Sequence, residues 1–322
     1  MNKFIQFLRN WTLPVSMVVG ALGYFFLDSL PMSAGGKEIT YMVISHYIQP
    51  MLLFSMLFLS FTKVSPHDMR PHRWHLWVLL CQMGSFILFS VLALCVHGAE
   101  NKILCEGAML CFICPTATAS AVITGKLGGS VSGVVTYLMI CNLMVALLAP
   151  AFLTMVEPRP GLDFLTSFFM IMGKVFPLLI CPLICAWIVR FLLPSFHERI
   201  LSWSGLSFYL WGVGLALAIL VSVRSIMETS IGVYYLAGLA LISLVCCVFQ
   251  FAVGKAIGSH YDIPASPRIN RITAGQAFGQ KNTVFIIWLG LVFLDPVTSI
   301  VGGLYSVWHN IINSYQLYKA RK

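Results

Sequence analysis

Apolar and polar residues alternate along the chain in long blocks, with runs of about 20 mostly apolar residues separated by short polar connections. An α-helix rises about 1.5 Å per residue, so a run of that length is long enough to cross the hydrocarbon of a bilayer. The pattern therefore predicts an all-α membrane protein with ten spans. The predicted spans are 12–30, 39–62, 74–97, 103–125, 131–156, 164–193, 200–227, 230–254, 271–294 and 297–318.

Two of the predicted spans contain residues that interrupt a helix. In the fourth span Pro115 removes a backbone donor, and the small hydroxyl residues that follow can satisfy freed carbonyl groups. In the ninth span Gly275 and Gly279 lie among polar residues that include Lys281. We expect both helices to be broken at these points, although kinks in otherwise packed helices would leave the same pattern.

The two breaks occupy matching positions when the chain is halved near Gly161. Thr118 lies 118 residues into the first half, and Lys281 lies 121 residues into the second, since 281 − 160 is 121. Each half, 1–160 and 161–322, then holds five spans, and an odd number of crossings inverts the second half relative to the first. Broken helices at corresponding points of an inverted repeat predict a secondary transporter with a substrate site near the membrane midplane.

Composition agrees with this class, because hydrophobic residues make up 59% of the chain and charged residues only 10%. All ten cysteines lie in apolar runs, so we interpret them as small buried hydrophobic residues. Cys111 and Cys114 have the spacing of a metal or redox pair, but no second pair accompanies them. The sequence predicts no cofactor.

Basic residues are distributed unevenly between the two sides of the predicted membrane. Of the twenty lysines and arginines, fourteen lie in the loops that share a side with both termini, including Lys3, Arg9, Arg321 and Lys322, and four lie in the opposite loops. The positive-inside rule therefore places both termini in the cytoplasm. The net charge of +9 then reflects topology and attraction to anionic lipids, so no nucleic-acid partner is expected.

The first apolar run, preceded by Lys3 and Arg9, could be read as a signal peptide. Nine more spans follow and no small-residue cleavage site is evident, so we interpret it as a retained helix. Short loops fit an integral protein of a bacterial inner membrane. The sequence does not indicate an oligomeric state.

Lys281 stands out among the polar residues, because a charge at bilayer depth is costly unless a partner or a water-filled cavity compensates it. The alternative without a functional role is that its side chain snorkels to an aqueous cavity. The positive ends of half-helices at the break, together with this ammonium, favour a negatively charged ligand. A small organic anion is therefore the expected substrate.

Three motifs together resemble the bile acid:sodium symporter family over nearly the whole chain. They are Cys114-Pro115-x-x-Thr118-Ala119-Ser120 with Gly128-Gly129 after it, Gly279-x-x-Asn282, and Ser306-Val307-Trp308-His309-Asn310. The resemblance implies a ten-helix inverted repeat with panel and core domains, in which helices 4 and 9 are broken and cross. It also implies a bile acid or a smaller carboxylate as substrate. The substrate-binding residues expected are Thr118, Ala119, Ser120, Gly279, Gln280, Asn282, His309 and Asn310.

The chain departs from the family at the positions where the family binds sodium. The family motif Glu-x-Gly-x-Gln-Asn, aligned on Gly279 and Asn282, places Ala277 at the glutamate and Lys281 at the glutamine. Methyl groups cannot supply the oxygen ligands that sodium needs. The other positions at which a polar residue of the family is replaced by an apolar one are Ala121, Val134 and Leu138.

We therefore predict that the Lys281 ammonium stands where a sodium ion would bind, with Gln82, Ser120 or unwound carbonyl groups as partners. One glutamate and two sodium ions sum to +1 in the usual family site, and protonated Lys281 beside Ala277 supplies the same charge. Transport would then not depend on sodium, and proton coupling through Lys281 is an extension of this hypothesis.

Two other functions compete with this prediction. One is a sodium-coupled symporter of an organic anion, in which Gln276, one position out of register, restores part of a sodium site. The other is a sensor that keeps the pocket but does not transport. A sodium/proton antiporter would want a carboxylate at the crossing, and neither broken segment contains one. Ser120 and His309 form no recognisable enzymatic signature, so no enzyme is expected.

Overall fold

The computed structural model describes residues 12–203, 205–229, 231–264 and 266–320, which form thirteen α-helices and no strand. Lys3, Arg9, Arg321 and Lys322, used for the predicted orientation, lie outside the described residues. The helices are α1 (Thr12–Ser29), α2 (Ala34–Phe61), α3 (Arg73–Cys95), α4 (Ala99–Ile113), α5 (Ser120–Lys126), α6 (Val131–Val156), α7 (Phe164–Leu192), α8 (Pro194–Ser202), α9 (Leu206–Glu228), α10 (Val233–His260), α11 (Ile269–Gly279), α12 (Thr283–Phe293) and α13 (Ile300–Ala320).

Six of the described helices, α2, α3, α6, α7, α9 and α10, are long and apolar enough to cross a membrane by length and composition. This confirms the prediction of a helical chain with several membrane-span-like helices. The remaining predicted spans correspond to shorter or more polar helices, namely α1, the pair α4 and α5, the pair α11 and α12, and α13.

Two details of the sequence prediction are wrong. The predicted span 200–227 is divided, because α8 begins at Pro194 and ends at Ser202, before α9 begins at Leu206. Proline suits the first turn of a helix, where its missing donor costs nothing, so it begins a helix of its own here. The cysteines are not all buried either, since Cys95 at the end of α3 is exposed.

Several helices begin at a side chain that caps the first turn. Ser33, Ser130 and Asp163 precede α2, α6 and α7, and each accepts a hydrogen bond from a backbone N–H three residues later, at 3.1, 3.1 and 3.2 Å. Such caps satisfy donors that have no partner inside the helix. The polar residues between the apolar runs thus define where these helices start.

Helices α10 and α11 pack with their backbones in direct contact. A Cβ atom at Gly254 would lie 2.6 Å from the carbonyl oxygen of Ala274, and one at Gly258 would lie 2.3 Å from that of Asn270. Glycines spaced by four residues allow this close approach between membrane helices. As a result α11 is held against α10 along its length.

The interior of the fold is formed around α11 and α12. Every residue from Thr273 to Gly290 is buried, including both helix ends at the break between them. By contrast α7 exposes large apolar side chains such as Phe169, which is 66% exposed. The outer surface is thus apolar, and polar residues lie in the central segment. This arrangement is expected in a membrane protein, where polar side chains face the interior of the helix bundle.

Candidate functional site

Both predicted helix breaks are present, and they lie against each other. Helix α4 ends at Ile113 and α5 begins at Ser120, while α11 ends at Gly279 and α12 begins at Thr283. The two breaks, residues 114–119 and 280–282, pair in antiparallel fashion through Thr116 and Lys281. They therefore form one crossing.

Backbone hydrogen bonds join the two breaks. The N–H of Ala117 donates to the carbonyl oxygen of Gln280 at 2.9 Å. The N–H of Asn282 donates to the carbonyl oxygen of Pro115 at 3.0 Å. Backbone groups that leave a helix at membrane depth need partners inside the protein, and here each break supplies them for the other.

Side chains from neighbouring helices satisfy further carbonyl groups at the crossing. Gln82 on α3 donates to the Cys114 carbonyl at 3.1 Å, and Tyr305 on α13 donates to the Gly279 carbonyl at 2.8 Å. The hydroxyl of Thr116 donates to the carbonyl of Ala277 at 2.5 Å. These bonds connect α3, α4, α11 and α13, so the crossing is fixed from several sides.

Lys281 is completely buried, with 0% of its surface exposed. Its Nζ atom has no hydrogen-bond partner within the described part of the chain, and none of the ion pairs found there includes it. Nζ lies 5.1 Å from the centroid of the Phe278 ring, a cation–π distance. The groups within electrostatic range of the ammonium are the thiols of Cys81, Cys111, Cys114 and Cys141. The snorkelling alternative is therefore wrong for this conformation.

In the described structure, the predicted partners of Lys281 bond to other groups. The amide nitrogen of Gln82 donates to Cys114, its oxygen accepts from the hydroxyl of Tyr137 at 2.7 Å, and the hydroxyl of Ser120 donates to the Ala117 carbonyl at 2.6 Å. The amide of Gln82 and the hydroxyl of Ser120 thus satisfy carbonyl groups of the unwound fourth helix, and neither side chain bonds the ammonium.

The remaining predicted residues of the ninth helix lie at the end of α11 or in the break that follows it. An added Cβ at Gly279 would lie 2.3 Å from Cγ of Phe251, so only glycine fits there. Gln280 is 3% exposed and its side-chain oxygen has no hydrogen-bond partner among the described residues. The side chain of Asn282 caps α12 by accepting from the N–H of Phe285 at 3.3 Å.

The predicted residues of the fourth and tenth helices differ in exposure. Thr118, Ala119 and Asn310 are half-buried, whereas Ser120 is fully buried. His309 is 3% exposed, and within the described residues its Nδ1 atom has no hydrogen-bond partner.

Tyr305 connects the tenth helix to the crossing. The His309 ring lies edge-on to that of Tyr305 at 5.7 Å, and Tyr305 in turn donates to Gly279. The Asn310 amide is engaged within its own helix, donating to the Ser306 carbonyl at 2.7 Å.

Sequence reasoning missed Thr116 and Tyr305, which fix the geometry of the crossing. Thr116 lies in the middle of the proline-containing break, and Tyr305 lies one helical turn before His309, so position in the sequence could have indicated both. Gln276, the residue of the alternative sodium site, donates its amide to Asn313 at 3.0 Å, and its side-chain oxygen has no hydrogen-bond partner among the described residues. Among the described residues no group of three or more His, Cys, Asp or Glu could hold a metal ion.

The chain matches no known protein-family model and no curated protein.

Proposed function

We propose that the chain is a secondary transporter of a small organic anion that works by alternating access and does not require sodium. The observation that carries the proposal is the crossing itself, where two interrupted helices pair through their backbones and enclose Lys281. Interrupted helices beside a buried charge are the arrangement that secondary transporters use to bind substrates inside the membrane.

The proposal includes the ten-helix inverted repeat implied by the resemblance to the bile acid:sodium symporter family. In this scheme residues 1–160 and 161–322 each contribute five helices, and α4–α5 and α11–α12 are the equivalent broken helices of the two halves. The breaks at 114–119 and 280–282 support it, because they interrupt the fourth and ninth predicted spans and contact each other.

Recognition of an anion follows from the charges at the crossing. The Lys281 ammonium and the N-terminal end of α12, capped by Asn282, both favour negative charge nearby. Thr118 and Asn310, which are half-buried, are the predicted ligands most accessible to a substrate. A carboxylate that reached the crossing would meet an ammonium that no acidic side chain of the described residues neutralises.

Independence from sodium follows from the absence of suitable oxygen atoms at the family positions. Ala277, Val134 and Leu138 are buried and present only methyl groups where the family has carboxylate or hydroxyl ligands. We propose that the fixed charge of Lys281 performs the electrostatic role of the bound ion. In the conformation described, this charge is closed off from solvent, so transport requires the helices around the crossing to open on each side in turn.

The test is uptake of a labelled bile acid and of a labelled small hydroxy acid into proteoliposomes, with sodium or with choline as the external cation. The native chain is expected to take up its substrate equally well in both. Lys281→Gln is expected to reduce uptake by about tenfold or more, the effect of losing one favourable interaction of about 1.4 kcal/mol. Lys126→Gln, which removes an exposed lysine at the end of α5, is the matched control and should retain native uptake.

Two outcomes would contradict the proposal. Uptake by the native chain that is stimulated by sodium would indicate a sodium-coupled symporter. Saturable binding of labelled ligand without counterflow across the vesicle membrane would indicate a sensor.

A further inference from the structure

Three basic residues lie at the end of the fold where α10 and α13 finish and α11 begins. They are Lys255 on α10, Arg271 on α11 and Lys319 on α13, and together they form the basic trio. Lys255 is within electrostatic range of both Arg271 and Lys319. Its ammonium lies 6.0 Å from the centroid of the Phe251 ring. None of the ion pairs of the described residues includes a member of the basic trio.

Helix packing holds the basic trio together. The contact of Gly254 and Gly258 with α11 fixes the backbone on both sides of Lys255. The stem of Lys255 lies over Gly275, because Cγ of the lysine is 2.6 Å from where a Cβ of Gly275 would be. Like charges repel, and they would separate if the helices were free to move. Tight packing therefore keeps the helix positions that carry these charges close together, and an anion bound between them would reduce the repulsion.

The nearest acidic residue along the chain does not neutralise the cluster. Asp262, in the connection between α10 and α11, accepts hydrogen bonds at one carboxylate oxygen from the backbone N–H groups of Asn270, at 2.7 Å, and Arg271, at 3.3 Å. Its carboxylate thus caps the start of α11 and forms no ion pair with the trio.

An amide cluster lies next to the basic trio. Gln276 on α11 donates to the side-chain oxygens of Asn313, at 3.0 Å, and Gln316, at 3.3 Å. In the described structure three of its buried polar atoms lack a partner: the donors Nδ2 of Asn313 and Nε2 of Gln316, and the acceptor Oε1 of Gln276. Asn313 is only 3% exposed, so its free donor is costly without a ligand.

Gln316 links the amide cluster to the basic trio along α13. It is three positions from both Asn313 and Lys319, so it neighbours each of them on the helix surface. On α11, Gln276 directly follows Gly275, over which the stem of Lys255 lies. Free amide donors thus adjoin uncompensated positive charge.

We propose that the basic trio and the amide cluster form a binding site for an oxyanion that has a hydroxyl donor on it or beside it, such as inorganic phosphate or a phosphoglycerol group. The cations attract the charge, Asn313 and Gln316 donate to the anionic oxygens, and Oε1 of Gln276 accepts from the hydroxyl. Such a group can belong to an anionic lipid headgroup or to a soluble phosphate, since basic pockets between membrane helices take both kinds of ligand by the same chemistry.

Binding is tested on the purified full chain without a transport assay. The anion site can therefore fail its test while the transport function holds, and the transport function can fail while the anion site holds. Thermal unfolding is followed while inorganic phosphate is titrated, and separately while phosphatidylglycerol replaces phosphatidylcholine in mixed micelles. Arg271→Gln and Lys319→Gln are each expected to weaken the apparent affinity about fivefold, and the double variant about 25-fold. Arg199→Gln, an exposed basic residue on α8, is the matched control and should bind as the native chain does.

The outcomes distinguish the sources of the ligand. Stabilisation by phosphatidylglycerol alone supports the site with a lipid headgroup as its ligand, and saturable stabilisation by inorganic phosphate supports it with a soluble anion. Asn313→Leu should weaken binding without a change of charge, whereas Arg271→Lys combined with Lys319→Arg should preserve it. The proposal is overturned if neither probe stabilises the native chain, or if Arg199→Gln loses binding as much as the trio variants do.

Discussion

Replacing Lys281 by methionine is expected to make the fold more stable while abolishing sodium-independent uptake. The lysine is fully buried and its Nζ atom has no hydrogen-bond partner in the described structure. A charged side chain at the centre of a membrane helix costs about 3 kcal/mol. The cation–π contact with Phe278 returns about 2 kcal/mol in a desolvated site. Methionine keeps most of the length of the side chain, so only a small cavity forms, and a net gain of about 1 kcal/mol is expected.

The measurement is unfolding in lipid bicelles by titration with sodium dodecyl sulfate, followed by tryptophan fluorescence. Lys126→Met, at an exposed position, controls for the general effect of adding a methionine and should leave stability unchanged. A loss of about 3 kcal/mol or more in Lys281→Met would refute the reasoning, because that is the cost of breaking a buried charge pair. It would mean that the ammonium has a stabilising partner.

Three further changes test the geometry of the crossing and of one helix start. Gly279→Ala places a Cβ 2.3 Å from the Phe251 ring, so a loss of about 1–3 kcal/mol of unfolding free energy is expected. The double variant Gly279→Ala with Phe251→Leu should recover part of this loss. Unchanged stability of the single variant would contradict the close packing. Tyr305→Phe leaves the Gly279 carbonyl without its donor, so denaturation should show a loss of about 1–3 kcal/mol, and a neutral result would mean that the bond contributes nothing. Hydrogen bonds from Thr166 hold the pKa of Asp163 below its usual value, so this cap stabilises the fold above pH of about 4 and the contribution is lost as the pH falls through the depressed pKa. Melting temperatures measured between about pH 3 and 6 should therefore fall less steeply for Asp163→Asn than for the native chain. Parallel slopes for the two proteins would contradict this.

The location of the helix breaks could be predicted from the sequence because their causes are local. Pro115 cannot donate in a helix, and glycine at position 279 weakens one, so the interruptions fall within a few residues of where the pattern places them. The predicted helix start near residue 200 is wrong because Pro194 begins a short separate helix, and the apolar run alone does not show where that helix starts.

The surroundings of Lys281 could not be predicted, because they depend on competition between groups far apart in the sequence. Gln82 is a reasonable partner for an ammonium when only residue types are considered. Once the fourth helix unwinds, however, the free carbonyl of Cys114 lies 3.1 Å from the Gln82 amide and takes that donor. The hydroxyl of Tyr137 donates to the side-chain oxygen of Gln82 at 2.7 Å. Which polar groups pair inside a bundle follows from three-dimensional proximity, which periodicity does not encode.

The backbone pairing between residues 114–119 and 280–282 has a consequence for how the molecule can move. The amide hydrogens of Ala117 and Asn282 are bonded across the crossing, so either segment can shift relative to the other only by breaking both bonds. Gln82 also holds Cys114, and Tyr305 holds the adjoining Gly279. The two segments should therefore move together as one rigid body, and any sliding should occur between helices that lie farther from the crossing. In deuterated solvent, these two amides should be among the last to exchange their protons.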